Sequence, residues 1–281
     1  VTVSAVASSV LAPLVDGVER PARVVGVLGS AVYLRAGGPR PNVVALVTRD
    51  AVRVPNAVIL PGAALPCGLQ AGAKATVGAG TVRVGGLVVE CARRWSPPRP
   101  RLPDAAVARA EELASLVAAP HLAAPARELR SALATGDDTA AEAAAFSLLG
   151  LGPGLTPSGD DLLAGALVTV RALGDTATGV ERAIAHADRR TPLVSAELLR
   201  YAAQGLCIPQ LADLIDALGS HLSLRAPLAS LLAVGHHSGG DLARGVALAL
   251  AAAQSPRPPA DARARRSPVG AGSSGGARSR R

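Results

Sequence analysis

Two hydrophobic periods divide the chain. Up to about residue 97, apolar residues, mostly valine, come in short bursts between Gly, Pro and Asn turns: AVYLRAG (31–37), NVVALVT (42–48), VRVPNAVIL (52–60) and KATVGAGTVRVGGLVVECARRW (74–95). Short strands at such close spacing predict a small antiparallel sheet or barrel. From Asp104 the period lengthens to that of a helix. DAAVARAEELASLVAA (104–119), APARELRSALATG (124–136) and DDTAAEAAAFSLLG (137–150) are Ala/Leu/Glu-rich and end at Pro or Gly. Further helices are predicted at about 160–173, 177–189, 192–204, 209–218, 222–234 and 239–253. SPPRPRLP (96–103) reads as a linker between the halves. The expected fold is therefore α+β, with an N-terminal small antiparallel β domain (1–97) and a C-terminal all-helical domain (104–253). The Pro/Gly/Ser/Arg-rich stretch 254–281 is expected to be a disordered basic tail.

Composition sharpens this picture in two places. The chain of 281 residues is 49% apolar, but Trp95, Tyr33, Tyr201 and Phe146 are its only aromatics, so the core must be Leu, Val and Ala. The net charge of +8 suggests nucleic acid until it is located: seven arginines and only one aspartate fall in 254–281, leaving the body nearly neutral. With few aromatics to stack bases, nucleic-acid binding is not the expected function. Cys67, Cys91 and Cys207 show no CxxC pair or metal spacing, and an odd count fits a reducing cytoplasm. No apolar run reaches the ~20 residues of a membrane span. VTVSAVASSVLAPLV at the start lacks the positive region of a signal peptide.

The densest chemistry lies in LGPGLTPSGDDLLAG (151–165). Its end, SGDDLLAG (158–165), recurs as SGGDLARG (238–245), so both fit S-G-x-D-L-x-x-G. One explanation is a pair of capping boxes, with Ser158 and Ser238 as N-caps and Asp161 and Asp241 three residues on. Gly165 and Gly245 would then let two helices cross closely. Three features exceed that explanation. Gly159 and Gly239 sit where glycine has no helical advantage, and bareness there opens backbone N–H groups to a ligand. Gly150, Gly152, Pro153 and Gly154, followed by Thr156, make a loop more elaborate than a cap requires. Asp160 has no capping duty and is free to bind Mg²⁺ or to accept from an amide N–H₂. Two such helix starts facing one cleft would bind a small anion through their partial positive charge.

Other candidates are weaker. His236 and His237 directly precede Ser238, diverge as neighbours do, and lack zinc spacing. One of them suits proton transfer or oxyanion support, and each equally suits a plain loop role. Ser195, one turn into TPLVSAELLRYAAQG (191–205), reads as a further binding residue or as a helix serine bonding back to a carbonyl. No G-x-S-x-G, Cys/His pair or P-loop is present.

GLGPGLTPSGDDLLAG closely resembles the signature of a family long labelled a domain of unknown function, which includes the AllH-type proteins. TPLVSAELLRYAAQG and LLAVGHHSGGDLARG look like its later blocks, in order, so the resemblance spans roughly 145–250. Gly240 departs from it, standing where an aromatic residue is expected. The resemblance implies a cytoplasmic transferase component of allantoin catabolism. Such a component would be a subunit of oxamate carbamoyltransferase, working with companion subunits to exchange a carbamoyl group between oxalurate and phosphate by way of carbamoyl phosphate. No catalytic residues are carried over from it. The S-T-R-T-R pattern of ordinary transcarbamoylases is absent.

Combined with the residues themselves, this gives a definite expectation. Backbone N–H groups after Ser158 and Ser238 hold the anionic end of the substrate, Asp160 accepts from its amide, and His236 or His237 steadies the oxyanion or moves a proton. Gly152, Gly154, Thr156, Gly159, Asp161, Ser195, Gly239 and Asp241 complete the binding site. Two alternatives stay open: a non-catalytic anion-binding regulatory module, and a Mg-dependent hydrolase or phosphotransfer enzyme using Asp160 and Asp161.

Overall fold

The structure is a computed structural model and describes residues 1–40, 42–65, 68–117 and 122–255. Cys67, His121 and the expected disordered tail from position 256 onward lie outside the described residues.

Among the described residues eight strands close into a barrel. They are β1 (Thr2–Ser8), β2 (Arg20–Val27), β3 (Ala31–Ala36), β4 (Val43–Val47), β5 (Ala57–Ile59), β6 (Lys74–Gly78), β7 (Thr81–Val84) and β8 (Leu87–Trp95). Their order around the wall is β1-β5-β4-β3-β2-β6-β7-β8. β1 runs parallel to β8, and β4 parallel to β5. The small antiparallel domain expected from the sequence is therefore wrong; the domain is a closed barrel of mixed direction. The reason is physical. A hairpin such as β7–β8 writes its turn into adjacent residues (Gly85 and Gly86), whereas Val3 opposite Val89 leaves no local mark. Closure removes the exposed edges that an open sheet would present.

Strand alternation fills the barrel. Leu34, Val44, Leu46, Val58, Val77, Val82 and Val89 pack in one core with Leu11 and Leu14, the latter from the short α1 (Ala12–Val15). β4 is buried along its whole length because it has two apolar faces. Val44 and Leu46 belong to the interior, while Ala45 and Val47 pack outside with Ala31, Tyr33, Ala57 and Val194.

The helical half comprises α2 (Ala110–Leu116), α3 (Ala123–Thr135), α4 (Asp138–Leu148), α5 (Ser158–Ala172), α6 (Thr178–Ala185), α7 (Leu193–Ala203), α8 (Pro209–Leu218), α9 (Arg225–Leu232) and α10 (Ser238–Ala253). Most ends fall within three residues of those predicted. Two segments differ: 104–109 is a 3₁₀ turn ahead of α2, and the helix predicted over 177–189 stops at Ala185 before a second 3₁₀ turn at Ala187–Arg189. The linker residues are strapped to the helices, with Leu102 N–H donating to Ala172 O (2.8 Å) and Cys207 N–H to Pro98 O (3.1 Å).

α5 and α10 cross at the glycines of the sequence repeat. A Cβ on Gly165 would lie 2.1 Å from the Leu242 carbonyl oxygen, and one on Gly245 would lie 2.1 Å from that of Leu162. Leu162 and Leu242 occupy the same place in the two copies, so the contact is reciprocal and the repeat forms a local dyad. The barrel packs against the loop before α5 and against α7. Leu155, Val194 and Leu198 pack with Tyr33 and Trp95, and the Trp95 Nε1–H donates to Ala57 O at 3.2 Å. Arg40 and Arg200 both pair with Asp188, adding a polar tie between the halves.

Candidate functional site

The two repeat copies come together at their helix starts. Thr156 Oγ1 lies 3.1 Å from Ser238 Oγ, across 82 positions of chain. Thr156, Ser238, Gly240 and Arg244 are half-buried; Gly152, Gly154, Gly235, His236 and His237 are exposed around them. The His236 and His237 rings meet edge-on, 5.4 Å between centroids.

The capping boxes do not form. Pro157 and His237 hold the cap positions without side-chain caps, and Ser158 and Ser238 are already helical. The Pro157 carbonyl instead accepts from the N–H groups of both Asp160 (2.9 Å) and Asp161 (3.1 Å). The glycines that follow the serines serve close packing. A Cβ on Gly159 would meet Leu148 O at 2.0 Å, and one on Gly239 would meet Leu231 O at 1.8 Å. Their N–H groups donate to Leu151 O (2.9 Å) and Val234 O (3.0 Å). Bare backbone at these positions seats each helix on the one before it, so these amides are not open to an anion.

Asp160 is equally engaged. It is 1% exposed. Its Oδ1 accepts from Gly150 N–H (2.9 Å), and its Oδ2 accepts from the hydroxyls of Ser195 (2.6 Å) and Thr191. Three protein donors take most of a carboxylate's four acceptor sites, so Asp160 pins the loop of 149–157 and the start of α7 to α5. The chelate of Asp160 with Asp161 anticipated for Mg²⁺ does not assemble. Among the described residues no group of three or more His, Cys, Asp or Glu side chains is placed to hold a metal. Gly150 completes the pin: its φ of +75° and the Arg190 carbonyl 2.1 Å from a Cβ position exclude a side chain. Ser195→Ala removes one of these donors and is expected to cost about 1 kcal/mol, read from the urea midpoint.

Asp161 and Asp241 differ from Asp160. Both are buried, and Oδ2 of each has no hydrogen-bond partner. Asp241 Oδ1 accepts from Arg244 Nη1 at 2.6 Å. Burial pushes the Asp161 carboxyl up to about 7; the Ser238 hydroxyl pulls against that, the Asp241 and Asp160 carboxylates add to it, and Thr156 again opposes it. Each aspartate stands four residues before its crossing glycine, on the same helix face, so both lie at the α5–α10 contact, near enough for the Asp241 charge to act on Asp161.

The sequence reading thus places Thr156, Asp161, Ser238 and Asp241 together, with Gly152, Gly154, His236 and His237 around them. Asp160 and Ser195 sit behind, bonded to each other. Arg244 and Thr191 were missed. Arg244 carried a signal: it occupies the seventh place of the second copy, three residues after Asp241, where the first copy has Ala164. Thr191 had none.

Residues 148–250 match the family model of oxamate carbamoyltransferase subunit AllH. The AllH match begins at the last residue of α4 and ends within α10, and so contains every residue of the paired helix starts. It leaves the barrel outside. No solved structure matches the chain. Among the described residues no helix is long and apolar enough to cross a membrane. A cavity of about 360 Å³ lined by Arg99, Arg101, Arg171 and Gln204 lies at the opposite end of α5 and is separate from the AllH-type motif.

Proposed function

We propose that this chain is a subunit of an oxamate-carbamoyltransferase-like enzyme, exchanging a carbamoyl group between the ureido acid oxalurate and phosphate. The site is the surface between the starts of α5 and α10. The observation that carries this reading is the 3.1 Å contact of Thr156 with Ser238 inside the AllH-matched segment, which joins the two most distinctive motifs of the chain at one point.

Donor chemistry assigns the parts. Oxalurate and carbamoyl phosphate each combine an anionic end with a carbamoyl group. The Gly159 and Gly239 amides being engaged, the anionic end falls to the Arg244 guanidinium, aimed by Asp241, and to the hydroxyls of Thr156 and Ser238. His236 and His237, exposed on the rim, face the carbamoyl oxygen, where charge develops as the tetrahedral centre forms. The amine attacks the carbamoyl carbon directly, so no side-chain nucleophile is required. Gly152 and Gly154 keep the rim low. Companion subunits supply the remainder of the enclosure.

The test is reconstitution with companion subunits, oxalurate and phosphate, following carbamoyl phosphate release. Arg244→Gln is expected to lower turnover at least about 100-fold, the scale of losing one charge-stabilising donor. Equal turnover by that variant removes the site from these helix starts. Oxalurate binding without turnover by the assembled complex returns the chain to a regulatory role.

A further inference from the structure

We propose that Asp161 and Asp241 hold one proton between them at the α5–α10 crossing and exchange it with substrate through the hydroxyls of Ser238 and Thr156. Its role in catalysis rests on the carbamoyl-transfer reading; the shared proton itself does not.

Four observations lead there. Asp161 is 9% and Asp241 1% exposed, and both have an Oδ2 with no surface and no partner. They are equivalent residues of the repeat, brought to one crossing by the reciprocal Gly165–Leu242 and Gly245–Leu162 contacts. Two carboxylates buried at one helix crossing repel each other when both are ionised, and a proton on one relieves that repulsion. The arrangement also decides which one gives way. Arg244 binds Asp241, whereas among the described residues no cation pairs with Asp161, which takes the proton. Asp160, next to it on the same helix, adds to the rise of the Asp161 carboxyl and is itself held by Gly150, Thr191 and Ser195. The rise of the Asp161 carboxyl to about 7 has the sign this requires.

A route outward exists. The hydroxyls of Ser238 and Thr156 lie against Asp161 and touch each other, and both residues are half-buried, between the carboxyls and the exposed rim. In phosphorolysis of oxalurate, a phosphate oxygen forms the new C–O bond to the carbamoyl carbon and the C–N bond to oxamate breaks. The oxamate nitrogen leaves with that electron pair and takes up the proton held on Asp161, relayed through a hydroxyl. Carbamoyl transfer to oxamate runs the same steps backwards and returns the proton to Asp161. Asp161 acts through the hydroxyls and is a positioning residue for the proton.

Linkage gives the sign of the pH effect. The folded-state value is raised above that of an unfolded carboxylate, so the stability conferred is complete below about pH 4 and is lost as pH rises towards 7. Melting the full chain from pH 4 to 8 is expected to show the wild type falling progressively. Asp161→Asn, which mimics the protonated acid and offers Asp241 a donor, stays level and melts higher than wild type at pH 8. Parallel curves for the two proteins overturn the shared proton. Asp241→Asn supplies a second arm: without its neighbour's charge, Asp161 titrates lower and the wild-type fall moves to more acidic pH. An unmoved fall overturns the pairing even if Asp161→Asn does not fold. In the reconstituted complex, Asp161→Asn is expected to flatten the pH–turnover profile near 7; an unchanged profile with normal turnover ends the proton's catalytic role and leaves the carbamoyl reading standing. A pH-dependent stability abolished by Asp161→Asn, together with no carbamoyl transfer by any form, ends the carbamoyl reading and leaves the shared proton standing.

Discussion

Asp160→Ala is expected to destabilise the protein by roughly 3–5 kcal/mol, with the urea midpoint falling at unchanged slope. The substitution orphans the Gly150 N–H and the hydroxyls of Thr191 and Ser195 together in a site that is 1% exposed. Asp160→Asn keeps one acceptor and the shape, so it should lose about half as much. The consequence extends to function. With the 149–157 loop unpinned, Thr156 is expected to lose Ser238 and turnover to fall, although the acceptors of Asp160 serve the protein's own donors. A loss below about 1 kcal/mol combined with abolished turnover would return Asp160 to direct ligand contact.

Gly165→Ala is expected to cost about 2–3 kcal/mol. Alanine gains up to ~1 kcal/mol of helix propensity over glycine, but its Cβ would sit 2.1 Å from a backbone oxygen, and no rotamer change relieves that. The helices must separate, which is an overpacking penalty at or above the usual range. Gly245→Ala should cost a similar amount because the contact is reciprocal. The double variant should lose less than the sum, since the first alanine already opens the crossing that the second would open. Additive losses in thermal or urea unfolding would mean that the two contacts are independent and that there is no dyad.

How far the sequence discloses this protein depends on the distance over which each feature is decided. Helix limits were legible because Gly136, Pro192 and Pro209 act on their own neighbours. Strands β3, β4 and β6–β8 were legible as valine runs between turns. The Thr2–Ser8 and Arg20–Val27 strands were not singled out, and the parallel partnership of β1 with β8 was invisible, because register between remote strands leaves no local trace. The S-G-x-D-L-x-x-G repeat disclosed the central helix pair and the crossing glycines. It did not disclose why Gly159 and Gly239 are bare. A ligand and a neighbouring carbonyl demand the same missing side chain, and only the Leu148 and Leu231 oxygens decide between them. The separation of Asp160 from Asp161 was likewise hidden. Adjacent on the chain, they face different neighbours, one towards donors at and just before the start of α7, 31 and 35 positions away, and the other towards α10.

The parallel partnership of Thr2–Ser8 with Leu87–Trp95 also sets an order of events during synthesis. The first strand of the barrel to be made must wait for the last one to complete the wall, with only Ala57–Ile59 as an earlier neighbour. Until Trp95 has emerged, the nascent chain carries an unfinished seam of main-chain amides and carbonyls. The wall is therefore closed before Leu155, Val194 and Leu198, which cover its outer face, have been made.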